Sequence, residues 1–327
     1  MVGRSFEDGR EILQVHTNIA LSAKYVRTVA EKEGLALVDE RNREVKNYQE
    51  GRIQIQAVSS VDLLVVTADG GRIQMREAIH GERWKEDKIG IVYDATANPQ
   101  TLTNLGEYVG AKAQTKTYVA TLESWESIGW MLRLEAARRG YVQAKTKLFV
   151  ADGARPIREL KNLQFPEAIF ILDWAHAAEH LSNSAKAFFG EGSNEAIRWY
   201  EKHKSMLWEG KIEPIIEDLQ KLSKRAGFPK ESDPENSPRR ILYQNAFSYF
   251  LHNKEALNYP YFRTQGWPFG SGVAERAIKQ FALRLKGSEK FWNFSHTGAE
   301  EMLALCALYH SEDERWDKYW QRQAQPR

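Results

Sequence analysis

Three acids, Asp69, Asp152 and Glu275, each stand where a regular element meets glycine. Asp152 closes the apolar run Leu148-Phe149-Val150-Ala151 and is followed by Gly153 and Ala154. Asp69 closes Leu63-Leu64-Val65-Val66-Thr67-Ala68 and is followed by Gly70 and Gly71. Short apolar runs of this kind read as buried strands. An acid at the end of such a strand sits at the mouth of a sheet, where open α/β folds bind ligands. Glu275 opens a helix after the glycine turn Gly270-Ser271-Gly272. Two strand-end aspartates and a helical glutamate form an all-oxygen set, which suits a hard cation such as Mg²⁺ or Mn²⁺. Two such ions ~3.5–4 Å apart can clamp the attacking and leaving oxygens of an in-line phosphoryl displacement. The three carboxylates are then expected to lie within roughly 4–8 Å of one another to hold one or two ions.

A second group is Asp173, His176 and His180, which share one face if the segment is helical. His176-Ala177-Ala178-Glu179-His180 also fits an H-x-x-E-H zinc-peptidase pattern, with His176, Glu179 and His180 as its working residues. That reading leaves both Asp-Gly strands unexplained. Basic residues follow Glu275 at Arg276, Lys279, Arg284 and Lys286, and follow Trp84 at Lys85 and Lys88. Such side chains can contact phosphates, which positions nucleic acid without reading its sequence. Trp267 and Trp292 could stack on unpaired bases. The bland alternative is a solvated basic face with tryptophans in the core.

The chain has 327 residues, enough for one large domain or a domain with an insertion. A net charge of +2 means that any nucleic-acid surface must be a local patch. The single cysteine, Cys306, rules out an internal disulfide and a cysteine zinc cluster. No apolar run reaches the length of a membrane span, and no secretory signal is evident at the start.

The elements that must position the acids can be read in order. Residues 10–35 have helical periodicity, and 36–60 read as a polar connector. Residues 61–95 are β-rich, and 101–121 are expected to hold a short helix and a strand. A helix spans 124–139, with Ser124 as N-cap and Gly140 as stop. A strand at 146–151, a helix at 155–163, a strand at 168–173 and a helix at 174–188 follow. Residues 192–258 read as helical, with a break at Gly227-Phe228-Pro229 and a loop at 231–238. A basic helix covers 273–286, and a last helix covers 297–310. The fold class is therefore α/β, and the β-β-β-α-β-α-β-α order is that of an RNase H-like mixed sheet flanked by helices. The division is 1–60 as N-terminal helical segment and connector, 61–190 as first part of the core, 191–262 as an all-α insertion, and 263–327 as C-terminal helices completing the core.

On these residues the chain resembles bacterial insertion-sequence transposases of the DDE class, and is most similar to the ISKra-type group of these mutator-like enzymes. The matching stretches are Ala68-Asp69-Gly70, Arg83-Trp84-Lys85-Glu86-Asp87-Lys88-Ile89-Gly90, Ala151-Asp152-Gly153-Ala154 and Phe165-Pro166-Glu167-Ala168. They continue with Ile171 through Leu181, Gly270 through Glu275, and Arg284-Leu285-Lys286-Gly287-Ser288. The resemblance implies Asp69, Asp152 and Glu275 as catalytic metal ligands, with Mg²⁺ or Mn²⁺ in a two-metal site. It implies that Asp173 and His176, beside Gly70 and Gly153, shape the pocket. It also implies cleavage and strand transfer of double-stranded DNA at transposon ends, a homodimer or higher assembly on DNA, and a cytoplasmic, nucleoid-associated location. The family's first motif more often reads Asp-Gly-Thr, where this chain has Asp69-Gly70-Gly71. Relatives carry a longer end-recognition region than residues 1–60, so the expectation is either a truncated or standalone catalytic module or one that borrows recognition from elsewhere. A domesticated DNA-binding protein without catalysis is the alternative from another class.

Overall fold

The computed structural model describes residues 4–56, 61–79, 82–99, 110–270, 272–287, 290–293 and 298–324. The expected short helix near 101–109 lies outside them, as does Ser271. The protein is mixed α/β, with a five-stranded mixed sheet flanked by helices. The strands are β1 (Leu63–Ile79), β2 (Glu82–Thr96), β3 (Lys112–Thr121), β4 (Thr146–Ala151) and β5 (Ile169–Leu172), in the order β3-β2-β1-β4-β5. The first three are antiparallel neighbours, and β4 and β5 run parallel to β1.

Thirteen α-helical segments surround the described strands. α1 (Phe6–Thr17) and α2 (Ala23–Gln49) precede the sheet, and α3 (Trp125–Arg138), α4 (Arg155–Gln164) and α5 (Trp174–Phe189) interleave with its later strands. Between β5 and the last helices lie α6 (Asn194–Trp208), α7 (Ile212–Ala226), α8 (Pro238–Gln244), a π-helical turn at Asn245–Tyr249, α9 (Phe250–His252) and α10 (Tyr259–Gln265). The chain finishes with α11 (Gly272–Leu285), α12 (Ala299–His310) and α13 (Arg315–Ala324).

Side-chain alternation along the strands makes two cores, because successive residues point to opposite faces. Leu64, Val66 and Phe149 pack against Ile128 and Leu132 of α3 and Leu160 of α4. Val65, Ile73, Leu148 and Val150 face the other way, toward α5, α11, α12 and the helices after α5. Ser124 caps α3 by accepting the Ser127 N–H at 3.1 Å.

Two expectations need correction. α2 continues through residues 36–49, which read as an irregular connector. It holds because its polar residues have partners on other elements: Arg41 donates to the Ala120 carbonyl at 3.0 Å and pairs with Glu300 at 2.8 Å. Gly34 lets α2 close onto α12, since a Cβ there would lie 2.5 Å from that of Glu301. Asp69-Gly70-Gly71 is also not a turn after a strand. β1 runs unbroken through it, since Asp69, Gly70 and Gly71 pair with Ile89, Lys88 and Asp87 of β2.

Candidate active site

Strand register brings the aspartates together. Thr67 of β1 pairs with Val150 of β4, which pairs with Ile171 of β5. Asp69, Asp152 and Asp173 each stand two residues further on, so they form a row across three adjacent strands, spaced about 4.8 Å per strand. β1 continues past this level while β4 and β5 stop, so the row marks the mouth of the parallel part of the sheet. Residues two apart share a face. The row therefore belongs to the face of Val65, Val150 and Ile171, the one covered by α11. That helix docks through Ala274, Ala277, Phe281 and Leu285, which leaves Glu275 at the edge of the contact with 43% of its side chain exposed.

The electrostatics has the same sense. The Asp69 carboxyl is pushed above its ordinary range, first by burial and then by the negative charges of Asp152 and Glu275, while the Gly70 N–H and His176 oppose the shift. Asp69 Oδ1 takes the Gly70 N–H at 2.7 Å, and Asp152 Oδ1 takes the Ala154 N–H at 2.8 Å. Glu275 Oε2 lies 3.9 Å from Lys279 Nζ. Among the described residues, no three His, Cys, Asp or Glu side chains stand close enough together to hold a metal ion. The donor chemistry and backbone row still fit a hard cation: partly buried carboxylates, with the Asp69 charge opposed by Asp152 and Glu275, are what such an ion would neutralise.

The neighbouring glycines have separate reasons. Gly153 has φ 82°, a region that a side chain rarely adopts, and Leu172 and Asn253 fill the space a Cβ would need. Gly70 faces the Glu86 carboxylate, 2.8 Å from where a Cβ would stand.

Asp173 is fully buried and caps α5, accepting the His176 N–H at 2.8 Å. His176 is partly exposed, with Nδ1 3.7 Å from Glu179 Oε2. His180 borders the same cavity as Asp152 and His176 but is engaged by the helices after α5: its Nδ1 is 2.8 Å from Asn245 Oδ1, and its ring stacks on Tyr249 at 3.6 Å. Burial pushes its pKa down. This engagement of His180 leaves the peptidase pattern without a gathered ligand set among the described residues.

The sequence reading missed the π-helical turn that supplies these partners. Its Tyr249 hydroxyl donates to the Asp152 carbonyl at 3.2 Å, and Asn245 donates to the His180 carbonyl at 3.0 Å and to Ser184 Oγ at 2.7 Å. The turn, Asp152, His176 and Arg158 border a cavity of 840 Å³. A second cavity, of 590 Å³, lies beside Asp173, Gly270, Glu275 and Arg276. A buried asparagine within a long helical stretch was the available signal, and it points to a polar network without naming its partner.

The expected DNA contacts divide by burial. Arg276 and Lys279 are exposed beside Glu275. Lys85 is half-buried, and burial pushes its pKa down. Lys88 is buried, pairs with Glu86 at 3.1 Å and lies over the Trp125 ring. Arg284 is buried between Phe6 and Trp292. Trp267 packs with Tyr261 and Phe262. Trp292 donates its indole N–H to the Leu285 carbonyl at 2.8 Å, while its backbone bonds to Gln74 and Arg76 of β1. Lys88, Arg284, Trp267 and Trp292 are thus interior groups, because their apolar bodies complete the packing of α3, α10 and α11. Lys286 faces inward to Asp87 at 3.7 Å.

No helix among the described residues is long and apolar enough to cross a membrane. No family model matches the chain, and no curated protein matches it. Among solved structures it is similar to the Drosophila P element transposase strand transfer complex, with 9% identity and a TM-score of 0.39 over 94% of this chain and 96% of that one. A likeness at that level supports no argument about fold or function.

Proposed function

We propose that the chain is an RNase H-like, DDE-type catalytic core that cleaves and joins DNA strands with Mg²⁺ or Mn²⁺ at Asp69, Asp152 and Glu275. The observation that carries this reading is the placement of Asp69 and Asp152 in one row at the sheet mouth, with Glu275 close enough to raise the Asp69 pKa. The β-β-β-α-β-α-β order supports the same fold reading, with residues 191–262 as a helical insertion. Bound at these oxygens, the metal would activate water and the scissile phosphate as a Lewis acid. The chain's own groups hold the geometry around it. Asp173 fixes the start of α5 and so His176, and Tyr249 ties the Asp152 loop to the π-helical turn. Arg276 and Lys279, on the helix of Glu275, would meet the phosphate backbone of double-stranded DNA. Such cores act on paired ends, so self-association on DNA belongs to the proposal.

A DNA-binding protein of the same fold without catalysis is the second reading. It is favoured by the lack, among the described residues, of a closed ligand set. Calorimetric titration of Mn²⁺ into wild type and Asp152→Asn decides between them. Binding by wild type that is lost in Asp152→Asn supports the catalytic reading; equal binding, or none, overturns it. Mn²⁺-dependent nicking of end-bearing DNA should follow the same order.

A further inference from the structure

Asp87 lies on β2 directly across from Gly71 of β1, on the same face as Asp69. It is 1% exposed, and its Oδ1 accepts no hydrogen bond among the described residues. The nearest cation is Lys286 Nζ, 3.7 Å from that oxygen. Lys286 follows the last residue of α11, with its backbone N–H still bonded to the Ala282 carbonyl at 2.8 Å. Gly71 is the seat of the pair: a Cβ there would lie 2.5 Å from Lys286 Nζ and 2.7 Å from Asp87 Oδ1. No real Cβ sits that close, so any side chain at 71 displaces the lysine or the aspartate.

A partly buried ion pair is weak evidence for stability, because desolvation offsets much of the Coulombic gain. What it supplies is direction. Of the α11 residues in this core contact, Ala274 and Ala277 are small and Val273 and Ile278 are only partly buried, so they resist sliding and rotation poorly. The Asp87–Lys286 pair fixes one end of the helix to the β1–β2 ladder, just beyond Asp69. The other end of the same helix carries Glu275.

We propose that Asp87, Lys286 and Gly71 form a positioning clamp that sets where α11 presents Glu275 to Asp69. This rests on the metal-dependent reading of the three acids. It also accounts for glycine at position 71: the pair occupies the volume that a larger residue would take. None of the three is among the three acids proposed to hold the metal.

The test is Mn²⁺ titration without DNA, on wild type, Lys286→Met, Asp87→Asn and Gly71→Ala, each alone and in a Glu275→Gln background. With DNA absent, a lost phosphate contact cannot explain the result. Each single variant should weaken Mn²⁺ binding about tenfold, as lost supporting contacts around metal ligands do. In the Glu275→Gln background the same changes should add nothing, because the clamp acts through Glu275. Unchanged affinity in the single variants overturns the clamp, as does a full tenfold loss in the Glu275→Gln background. Should Lys286→Met fail to fold, Gly71→Ala displaces the same pair while keeping both charges. Wild type that binds no Mn²⁺ overturns the metal reading itself, and the clamp falls with it.

Discussion

On one face of the sheet, Leu64, Val66, Phe149 and their neighbours meet α3 and α4 in a core made almost wholly of apolar side chains. On the opposite face the same strands carry Asp69, Asp87, Asp152 and Asp173, together with Thr67, whose buried hydroxyl has no hydrogen-bond partner among the described residues. Both faces are covered by helices, and both follow the same two-residue alternation. The first is built for stability alone. The second carries carboxylates that need partners: the Asp69 charge is disfavoured by burial and by nearby Asp152 and Glu275, whereas Asp87 faces Lys286 and Asp173 caps α5. Acids concentrated on one covered face of a shared sheet are the observation on which the proposed site rests.

The largest effect that would sharpen this contrast lies on the apolar face. Phe149 is fully buried and packs against Phe165 and Phe170. Phe149→Ala should cost about 3–5 kcal/mol in urea denaturation, with Mn²⁺ affinity of the folded fraction unchanged. Loss of Mn²⁺ binding in folded protein would show that the faces are not separable.

The opposite sign is expected across the sheet. Because the Asp69 pKa is raised in the fold, its charged form is disfavoured there, and the favourable contribution of the neutral form is lost as pH rises through the folded value. Asp69→Asn without metal should therefore raise the urea midpoint at pH 7, by less than the Phe149 change lowers it. The difference should vanish below about pH 4, near the unfolded carboxylate value. A midpoint lowered at neutral pH would mean that Asp69 is a stabilising residue and would break the contrast.

The parts of this arrangement visible in the sequence are those set by local physics. β4 and β5 are short apolar runs, Ser124 is a helix cap, and Gly227 ends α7. The row of Asp69, Asp152 and Asp173 was legible as acids ending apolar runs, although Asp69 proved to lie inside a long strand. A hairpin longer than its parallel neighbours produces the same local sequence as a strand end. What stayed hidden depends on distant partners. The polar half of α2 is helical because Arg41 finds β3 and α12. Arg284 and Lys88 look like solvent-facing cations until Phe6, Trp292 and Trp125 are seen over them. The π-helical turn rests on an Asn245–His180 pairing across 65 positions.

That turn gives the next test. The Tyr249 hydroxyl donates to the Asp152 carbonyl, so Tyr249→Phe removes one hydrogen bond and little volume. Stability should fall by about 1 kcal/mol, and Mn²⁺ affinity should fall with it if the bond holds the Asp152 loop in place. A stability loss with no change in Mn²⁺ binding would confine Tyr249 to packing.

The smallest effect on stability, and the one that best separates surface from interior on α11, comes from its two lysines. Lys279 is 80% exposed with Glu275 3.9 Å away, whereas Lys286 is 29% exposed and turned to Asp87. An exposed lysine that meets a phosphate releases a counterion on binding, so its loss flattens the dependence of affinity on salt. Lys279→Ala should change folding stability by no more than about 0.5 kcal/mol, yet reduce the slope of log affinity against log salt by about one. Lys286→Met should leave that slope unchanged, because its ammonium is already committed inside the protein. Fluorescence anisotropy on a labelled duplex at several salt concentrations reads both. Equal slope changes would mean that Lys286 swings out to DNA and that its contact with Asp87 does not persist in the complex. No change in either would remove both lysines from the DNA surface and leave Arg276 as the basic neighbour of Glu275 on α11 that could guide a phosphate toward it.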